Sequence, residues 1–318
     1  MELFALARNP VPSGAVVGRF KGHDGCAIRF ARFEATRGPR RGTVCIFTGR
    51  TEFIEKYFEV IADLRRRGFA TAIMDWRGQG GSERLLPDPH KGHIDDFATH
   101  DRDLATFMRD IVLPDCPPPY IALAHSMGGN IMLRNAGAPG TWFTRMVLCS
   151  PMIELNRAQL GGPAWIARAY SEIACLAGLA THYVHGATDW RENKRPFEDN
   201  LLTSDRERYM RNRGLVEAAP ELTLGGPTIG WLRAAMRSMS LVGDPAFARR
   251  VGLPLLFFIA GKDRIVAQAA IEDFSARIKS GTHVILADSR HEILQEADDV
   301  RGRFWAAFDA YLDIGQNG

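Results

Sequence analysis

Strand-like apolar runs alternate with helical stripes along most of this chain, and that alternation limits the fold more than any single motif does. Thr43–Phe47 (TVCIF), residues 70–75 (ATAIMD), 120–124 (YIALA), 145–149 (RMVLC), Leu255–Ala260 (LLFFIA) and residues 282–286 each read as a buried strand. Residues 53–67 carry Ile54, Tyr57, Phe58, Ile61 and Leu64 at helical spacing, with Gly68 as a stop signal. The same spacing predicts helices near residues 96–112, 126–136, 267–278 and 298–312. Two short strands, residues 16–20 and 27–34, flank a turn at Gly22 and Gly25. This order predicts an α/β fold in which a mostly parallel sheet is flanked by helices on both faces.

The alternation lapses over residues 151–250, which have helical character, many arginines and no buried strand run. We read this stretch as a helical insertion lying over one end of the sheet, with residues 1–150 and 251–318 forming the core. With 46% hydrophobic and 24% charged residues the chain matches an average globular protein, not a disordered or fibrous one. The isoelectric point of about 8.6 falls short of the value above ~9 expected of a nucleic-acid binder, so no nucleic-acid partner is expected. No C-x-x-C pair occurs among Cys26, Cys45, Cys116, Cys149 and Cys175, which points to a reducing compartment. Residues 1–20 lack a signal-peptide pattern, and the longest apolar run, residues 253–260, is too short to span a bilayer. A cytoplasmic location is expected, with peripheral contact at the inner membrane face left open.

Residues 120–132, YIALAHSMGGNIM, carry the chemical signal. An apolar strand runs into His125-Ser126-Met127-Gly128-Gly129 and a helix starts at once. A serine on such a turn projects its Oγ from the sheet end, beside the amides that open the helix. Small flanking residues let strand and helix approach; here they are Gly128 and, in place of a more usual Gly, Ala124. A serine nucleophile of this type is followed in the chain by its acid and then its base. Asp263 follows the late strand Leu255–Ala260, and His291 follows the last strand, just before the terminal helical region. We therefore expect Ser126, Asp263 and His291 to be catalytic. Asp288 and Glu292 are local rivals for pairing with His291, His283 and His125 are expected to pack, and Asp273 to be solvated. Of the two oxyanion donors, one is expected to be the N–H of Met127 and the other the N–H of Arg50, with Thr51 as the fallback, because the loop after Thr43–Phe47 approaches the serine turn.

The segments FTGRTEFIEKY, DWRGQGGSERL, KGHIDDF, AHSMGG and AGKDRIV, together with the late His291, resemble the α/β-hydrolase superfamily and, within it, the branch of bacterial lysophospholipase L2 and monoacylglycerol lipases. The resemblance implies a Ser–His–Asp esterase needing no cofactor, with Ser126 as nucleophile, His291 as general base then acid, Asp263 as orienting carboxylate, and residues 151–250 as a lid or cap. A lysophospholipid is the leading substrate. Monoacylglycerol lipase or general esterase activity is the alternative, and a peptidase or a non-catalytic ligand binder ranks below both. Two departures bear on rate and specificity: Ala124, and Thr48-Gly49 where many relatives have His-Gly.

The insertion offers the clues to substrate. Trp165, Ile166, Leu176, Trp190, Trp231, Leu232, Met236 and Met239 would suit an acyl-chain wall, and Arg206, Arg208, Arg211 and Arg213 a phosphate head group. The stretch Arg77–Ser82 is Gly-rich but lacks a complete nucleotide-binding pattern, and we read it as a turn near the site's rim. His90, His93 and His100 with Asp95 and Asp96 match no zinc spacing, so no metal is expected.

Overall fold

A computed structural model describes residues 2–36, 38–188 and 195–314 of the 318-residue chain. The strands run β1 (Val16–Lys21), β2 (Ala27–Phe33), β3 (Thr43–Phe47), β4 (Ala70–Met74), β5 (Tyr120–His125), β6 (Phe143–Cys149), β7 (Leu255–Ala260) and β8 (Gly281–Leu286). Among the described residues they form one eight-stranded sheet in the order β1-β2-β4-β3-β5-β6-β7-β8. The β1–β2 and β2–β4 pairs are antiparallel and the rest parallel. The principal helices are α1 (Phe58–Arg66), α2 (Ala98–Phe107), α3 (Met127–Ala136), α4 (Ala164–Leu176), α5 (Arg206–Ala218), α6 (Ile229–Gly243), α7 (Gln268–Arg277) and α8 (Asp298–Tyr311).

The pleat divides the apolar runs between two cores. Cys45 and Phe47 of β3, Met146 and Leu148 of β6, and Phe257 and Ile259 of β7 join a cluster with Leu104 and Phe107 of α2, Ile131 of α3 and Phe274 of α7. Their strand neighbours Val44, Ile46, Val147, Leu256 and Phe258 face the other way, against Ile61 and Leu64 of α1 and Phe304 and Phe308 of α8. Successive side chains of a strand point to opposite faces, so an unbroken apolar run is what a doubly covered strand requires.

Three boundaries differ from the sequence-based expectation. Residues 53–67 open with a 3-10 turn, Ile54–Tyr57, because the Ile54 N–H is drawn to Asp75 Oδ1 at 2.9 Å. The stripe over residues 96–112 gives α2 and then a π turn, Met108–Val112. The last strand forms but is not buried: β8 is the sheet edge, which leaves His283 exposed, with its Nδ1 2.7 Å from Ser275 Oγ, so the expectation that it packs inside is corrected.

Among the described residues, 151–250 adds helices and no strand to the sheet. Its α6 shares the first core through Trp231, Leu232, Met236 and Met239.

Candidate active site

Ser126 alone makes the turn between β5 and α3, with φ 51° and ψ −114°. Such a conformation costs a non-glycine residue on the order of 1–3 kcal/mol and persists only where its surroundings enforce it. Here the Ser126 N–H donates to the Cys149 carbonyl at 3.0 Å, while its carbonyl accepts from Met152 N–H at 2.9 Å and Asn130 N–H at 3.1 Å. Gly128 permits the close approach, because a Cβ there would lie 2.3 Å from the Phe47 carbonyl oxygen. Ala124, on the other flank, is buried in the core and pairs in register with Phe47 and Leu148, so its methyl is accommodated.

The Ser126 side chain makes no helix-capping bond. Its Oγ lies 2.9 Å from His291 Nε2, and His291 Nδ1 lies 2.7 Å from Asp263 Oδ2. The other oxygen of Asp263 accepts the N–H groups of Ile265 at 2.7 Å and Val266 at 3.1 Å. Burial alone would raise the Asp263 carboxyl, but His291 and these two amides hold it below the usual carboxylate range. An ionised carboxylate only accepts, so Nδ1 carries the imidazole proton and Nε2 is the acceptor facing the serine hydroxyl. The structure thus brings together three residues from the ends of three different strands. The rivals lie elsewhere: Asp288 is exposed and pairs with Lys262 and Arg303, and Glu292 pairs with Lys56 at 2.5 Å.

The loop after β3 passes directly beside the serine. A Cβ on Gly49 would meet Ser126 Cβ at 3.2 Å. Met127 opens α3, so its N–H belongs to the first helical turn, whose amides lack intrahelical carbonyl partners. Arg50 and Met127 border one small cavity together with Trp231, whereas Thr51 borders another beside Lys56 and Glu292. Thr51 sits at φ 67°, strained for a β-branched residue.

Sequence reasoning missed what holds this loop. Glu52 is buried, and its Oε2 accepts from Gly49 N–H at 2.5 Å and Tyr57 O–H at 2.7 Å, with His125 Nδ1 at 3.0 Å. Its Oε1 lies 3.0 Å from Lys56 Nζ, which also reaches Glu292, the neighbour of His291 in the chain. His125 Nε2 faces the His291 carbonyl at 3.1 Å. Both nitrogens of His125 therefore face acceptors, and both must donate. Burial opposes that charge, but the Glu52 carboxylate outweighs it and raises the His125 pKa. Burial likewise opposes ionisation of Glu52, while Lys56 and His125 hold its carboxyl well below the ordinary value. Two cations and two anions thus balance behind the serine turn. A signal was present: Glu52 and Lys56 stand at i, i+4 within a segment, residues 52–58, that is otherwise apolar but for Glu55 and is buried throughout.

Residues 77–82 form the predicted turn and support the same loop. Gln79 Nε2 donates to the carbonyls of Gly49 at 2.8 Å and Glu52 at 3.1 Å. Asp75 and Glu55 clamp the buried Arg29 guanidinium at 2.6 and 2.7 Å. Among the described residues no cluster of His, Cys, Asp or Glu suits a metal ion. His93 instead lies 2.8 Å from Thr228 Oγ1, and His100 packs between Trp76 and Phe97.

The residues expected to meet substrate fare unevenly. Trp231 is buried at the rim, beneath Arg50. Leu232, Met236 and Met239 are buried with it, whereas Trp165, Ile166 and Leu176 of α4 face outward; Trp190 lies outside the described residues. The four arginines do not form a common anion site, which corrects that expectation. Arg208 and Arg211 bind Glu59 at 2.6 and 2.8 Å, Arg208 also binds Asp205 and Asp298, and Arg206 and Arg213 pair with Glu198 and Glu217. Each guanidinium already has an acidic partner, and the pairs of Arg208 and Arg211 with Glu59 tie α5 to α1.

The family described as "Serine aminopeptidase, S33" matches residues 38–298. The chain is 33% identical over 311 residues to lysophospholipase L2 of Escherichia coli K12, covering 93% of this chain and 86% of that one. To the probable lysophospholipase L2 of Haemophilus influenzae it is 24% identical, covering 86% and 84%. Among solved structures, a soluble variant of monoglyceride lipase from Saccharomyces cerevisiae in complex with a substrate analog aligns at TM-score 0.70 with 18% identity, covering 95% of this chain and 97% of that one. A thermostable carboxyl esterase from Bacillus coagulans aligns at 0.73 with 19% identity, covering 95% and 99%. The resemblance drawn from the motifs is borne out: with this strand order, this serine turn and these relatives, the chain belongs to the S33 serine aminopeptidase family of α/β-hydrolases.

Proposed function

We propose that the chain is a serine carboxylester hydrolase that releases a fatty acid from lysophospholipids through an acyl-enzyme on Ser126. The observation that carries this reading is the continuous line of short contacts from Asp263 through His291 to a hydroxyl on a strained strand-to-helix turn. The likeness to lysophospholipase L2 over most of the chain supports the substrate class. The likeness to monoglyceride lipases favours the second reading, hydrolysis of monoacylglycerols.

In this mechanism His291 Nε2 takes the Ser126 proton as Oγ attacks the ester carbonyl. Asp263 keeps the imidazole in the required tautomer and stabilises the imidazolium. The N–H groups of Met127 and Arg50 receive the developing oxyanion, and one such donor is typically worth ~3 kcal/mol. The leaving alkoxide takes the proton from His291, and water then repeats the sequence on the acyl-enzyme to free the fatty acid. Side chains and water handle every proton and electron pair in these steps.

Residues 151–250 act as the cap in this reading, over a core of residues 1–150 and 251–318. The outward face of α4 supports peripheral contact with aggregated lipid: Trp165, Ile173 and Leu176 are 70%, 67% and 86% exposed, and the exposed Arg157 and Arg168 lie nearby in the chain. Among the described residues no helix is long and apolar enough to cross a membrane.

Labelling by a fluorophosphonate probe, abolished by Ser126→Ala, tests the nucleophile. Turnover of lysophosphatidylcholine, lysophosphatidylethanolamine, a monoacylglycerol and an aminoacyl amide tests the substrate. The reading expects kcat/KM at least tenfold higher for the lysophospholipids, and preference for the amide would sink it. Flotation with anionic vesicles should fall for Trp165→Ser/Ile173→Ser.

A further inference from the structure

The Arg50 side chain points away from the chemistry its backbone is assigned. Its Nη2 donates to the Gly225 carbonyl at 2.5 Å, and its guanidinium carbon lies 5.3 Å from the ring centre of Trp231 on α6. Gly225 belongs to residues 223–228, a strap that this hydrogen bond ties to the loop after β3. Residues 90–93 also hold the strap, and Gly92 lies beside the same guanidinium. Gly225 N–H donates to the His90 carbonyl at 2.8 Å, Gly92 N–H to the Gly226 carbonyl at 3.3 Å, and Thr228 N–H to the Gly92 carbonyl at 2.9 Å. Leu224 of the strap lines two small cavities, one of about 60 Å³ beside Thr51 and one of about 10 Å³ beside Arg50 and Met127. Pockets that enclose a drug-sized ligand usually hold roughly 300–1,000 Å³. Ser126 and His291 are themselves buried, so a substrate needs an opening beside them, and Arg50 joins this wall to the loop beside the serine.

We propose that the Arg50 guanidinium is a positioning group that locks the loop at residues 49–51 to the strap at residues 223–228, so that the loop reaches its working geometry when the cap is closed. The proposal rests on the reading of Ser126 as nucleophile and of the Arg50 N–H as an oxyanion donor. Two features of the loop make it sensitive to such a lock. Thr51 is strained at φ 67°, so the Arg50–Thr51 segment holds its shape only while its neighbours enforce it. Its other restraints grip the two ends, Glu52 on Gly49 N–H and Gln79 on the carbonyls of Gly49 and Glu52, and Arg50 lies between them. Arg50 thus carries a restraint from residues 223–231 to the loop. The coupling is reciprocal: a contact that steadies the loop when the strap is closed steadies the strap by the same free energy.

The test breaks the contact from each side. Arg50→Met removes the donor and the charge, Trp231→Leu removes the ring from the cap, and Arg50→Lys keeps a donor without the planar fork. Each variant is assayed for kcat and KM on a water-soluble short-chain ester and for amide hydrogen exchange over residues 223–228. Arg50→Met should lower kcat by about tenfold to a hundredfold, the scale of a small misplacement of a reacting group. It should leave KM within threefold of wild type and speed exchange in the strap. Trp231→Leu should shift both readouts in the same direction, and Arg50→Lys should recover part of the loss. Wild-type kcat in both Arg50→Met and Trp231→Leu, or unchanged strap exchange in a folded Arg50→Met protein, overturns the proposal. If Arg50→Met fails to fold, Trp231→Leu decides it by the same criteria. Fluorophosphonate labelling that persists in Ser126→Ala would instead overturn the nucleophile reading.

Discussion

Gly128→Ala is a small change with a calculable effect. The added methyl would lie 2.3 Å from the carbonyl oxygen of Phe47 and 2.6 Å from that of Thr48, both backbone atoms. Contacts closer than 3.4 Å are already tight, so α3 and the end of β3 must part by about 1.1 Å. The gap opens between Ser126, two residues before Gly128, and the loop that begins at Thr48. A displacement near 1 Å at reacting groups lowers the rate by about 100-fold, equivalent to ~2.7 kcal/mol in the barrier. Overpacking adds a stability loss of roughly 1–3 kcal/mol. The assay is kcat/KM on a soluble p-nitrophenyl ester, with a thermal melt for folding and burst titration to count competent sites. The control is Gly302→Ala on α8, where an added Cβ meets nothing within 4 Å. A folded Gly128→Ala protein with kcat/KM within threefold of wild type would refute the idea that this close approach sets the site's geometry.

Three further outcomes are expected. Asp263→Asn keeps the shape of the acid but loses the charge that selects the imidazole tautomer, so kcat should fall on the order of 10⁴-fold, measured on the same ester; a loss under tenfold would remove Asp263 from its role. Gly302→Ala should stabilise the protein by roughly 0.5–1 kcal/mol, because alanine loses less backbone freedom in an exposed helix interior, and denaturant titration would show it. Glu59 anchors α5: burial opposes its ionisation, but Arg208, Arg301 and Arg211 together lower its pKa from 4.5 to about 2. A carboxyl depressed by folding contributes stability above its unfolded value that is lost as pH falls toward the folded one. The exchange protection of α5, taken relative to the intrinsic amide rate at each pH, should therefore fall between pH 4.5 and about 2, and Glu59→Gln should be loosened already at neutral pH with that acid-dependent step removed.

Much of the architecture was legible because its causes are short-range. The runs TVCIF and LLFFIA are apolar on both faces, and a strand covered on both sides needs that pattern whatever its neighbours are. Ser126 was legible for a similar reason, since strand, small residues and helix lie within thirteen consecutive positions. The edge position of β8 was not, because whether His283 and Ile285 are covered depends on a ninth strand or a helix that no local pattern announces or denies.

Charge pairing divides what the chain's order determined from what folding decided. Periodicity and turn chemistry placed the strands and the serine turn, and the nucleophile–acid–base order of α/β-hydrolases then named Asp263 and His291, before the three were seen 2.9 and 2.7 Å apart. The partners of the remaining charges could not be named in this way. Glu292 stands beside His291 in the chain yet binds Lys56, 236 positions away, and Arg208 binds Glu59 across 149 positions. A charged side chain pairs with whatever opposite charge the packed backbone brings within about 4 Å, and neighbours of that kind exist only after the sheet and the helices over it have assembled.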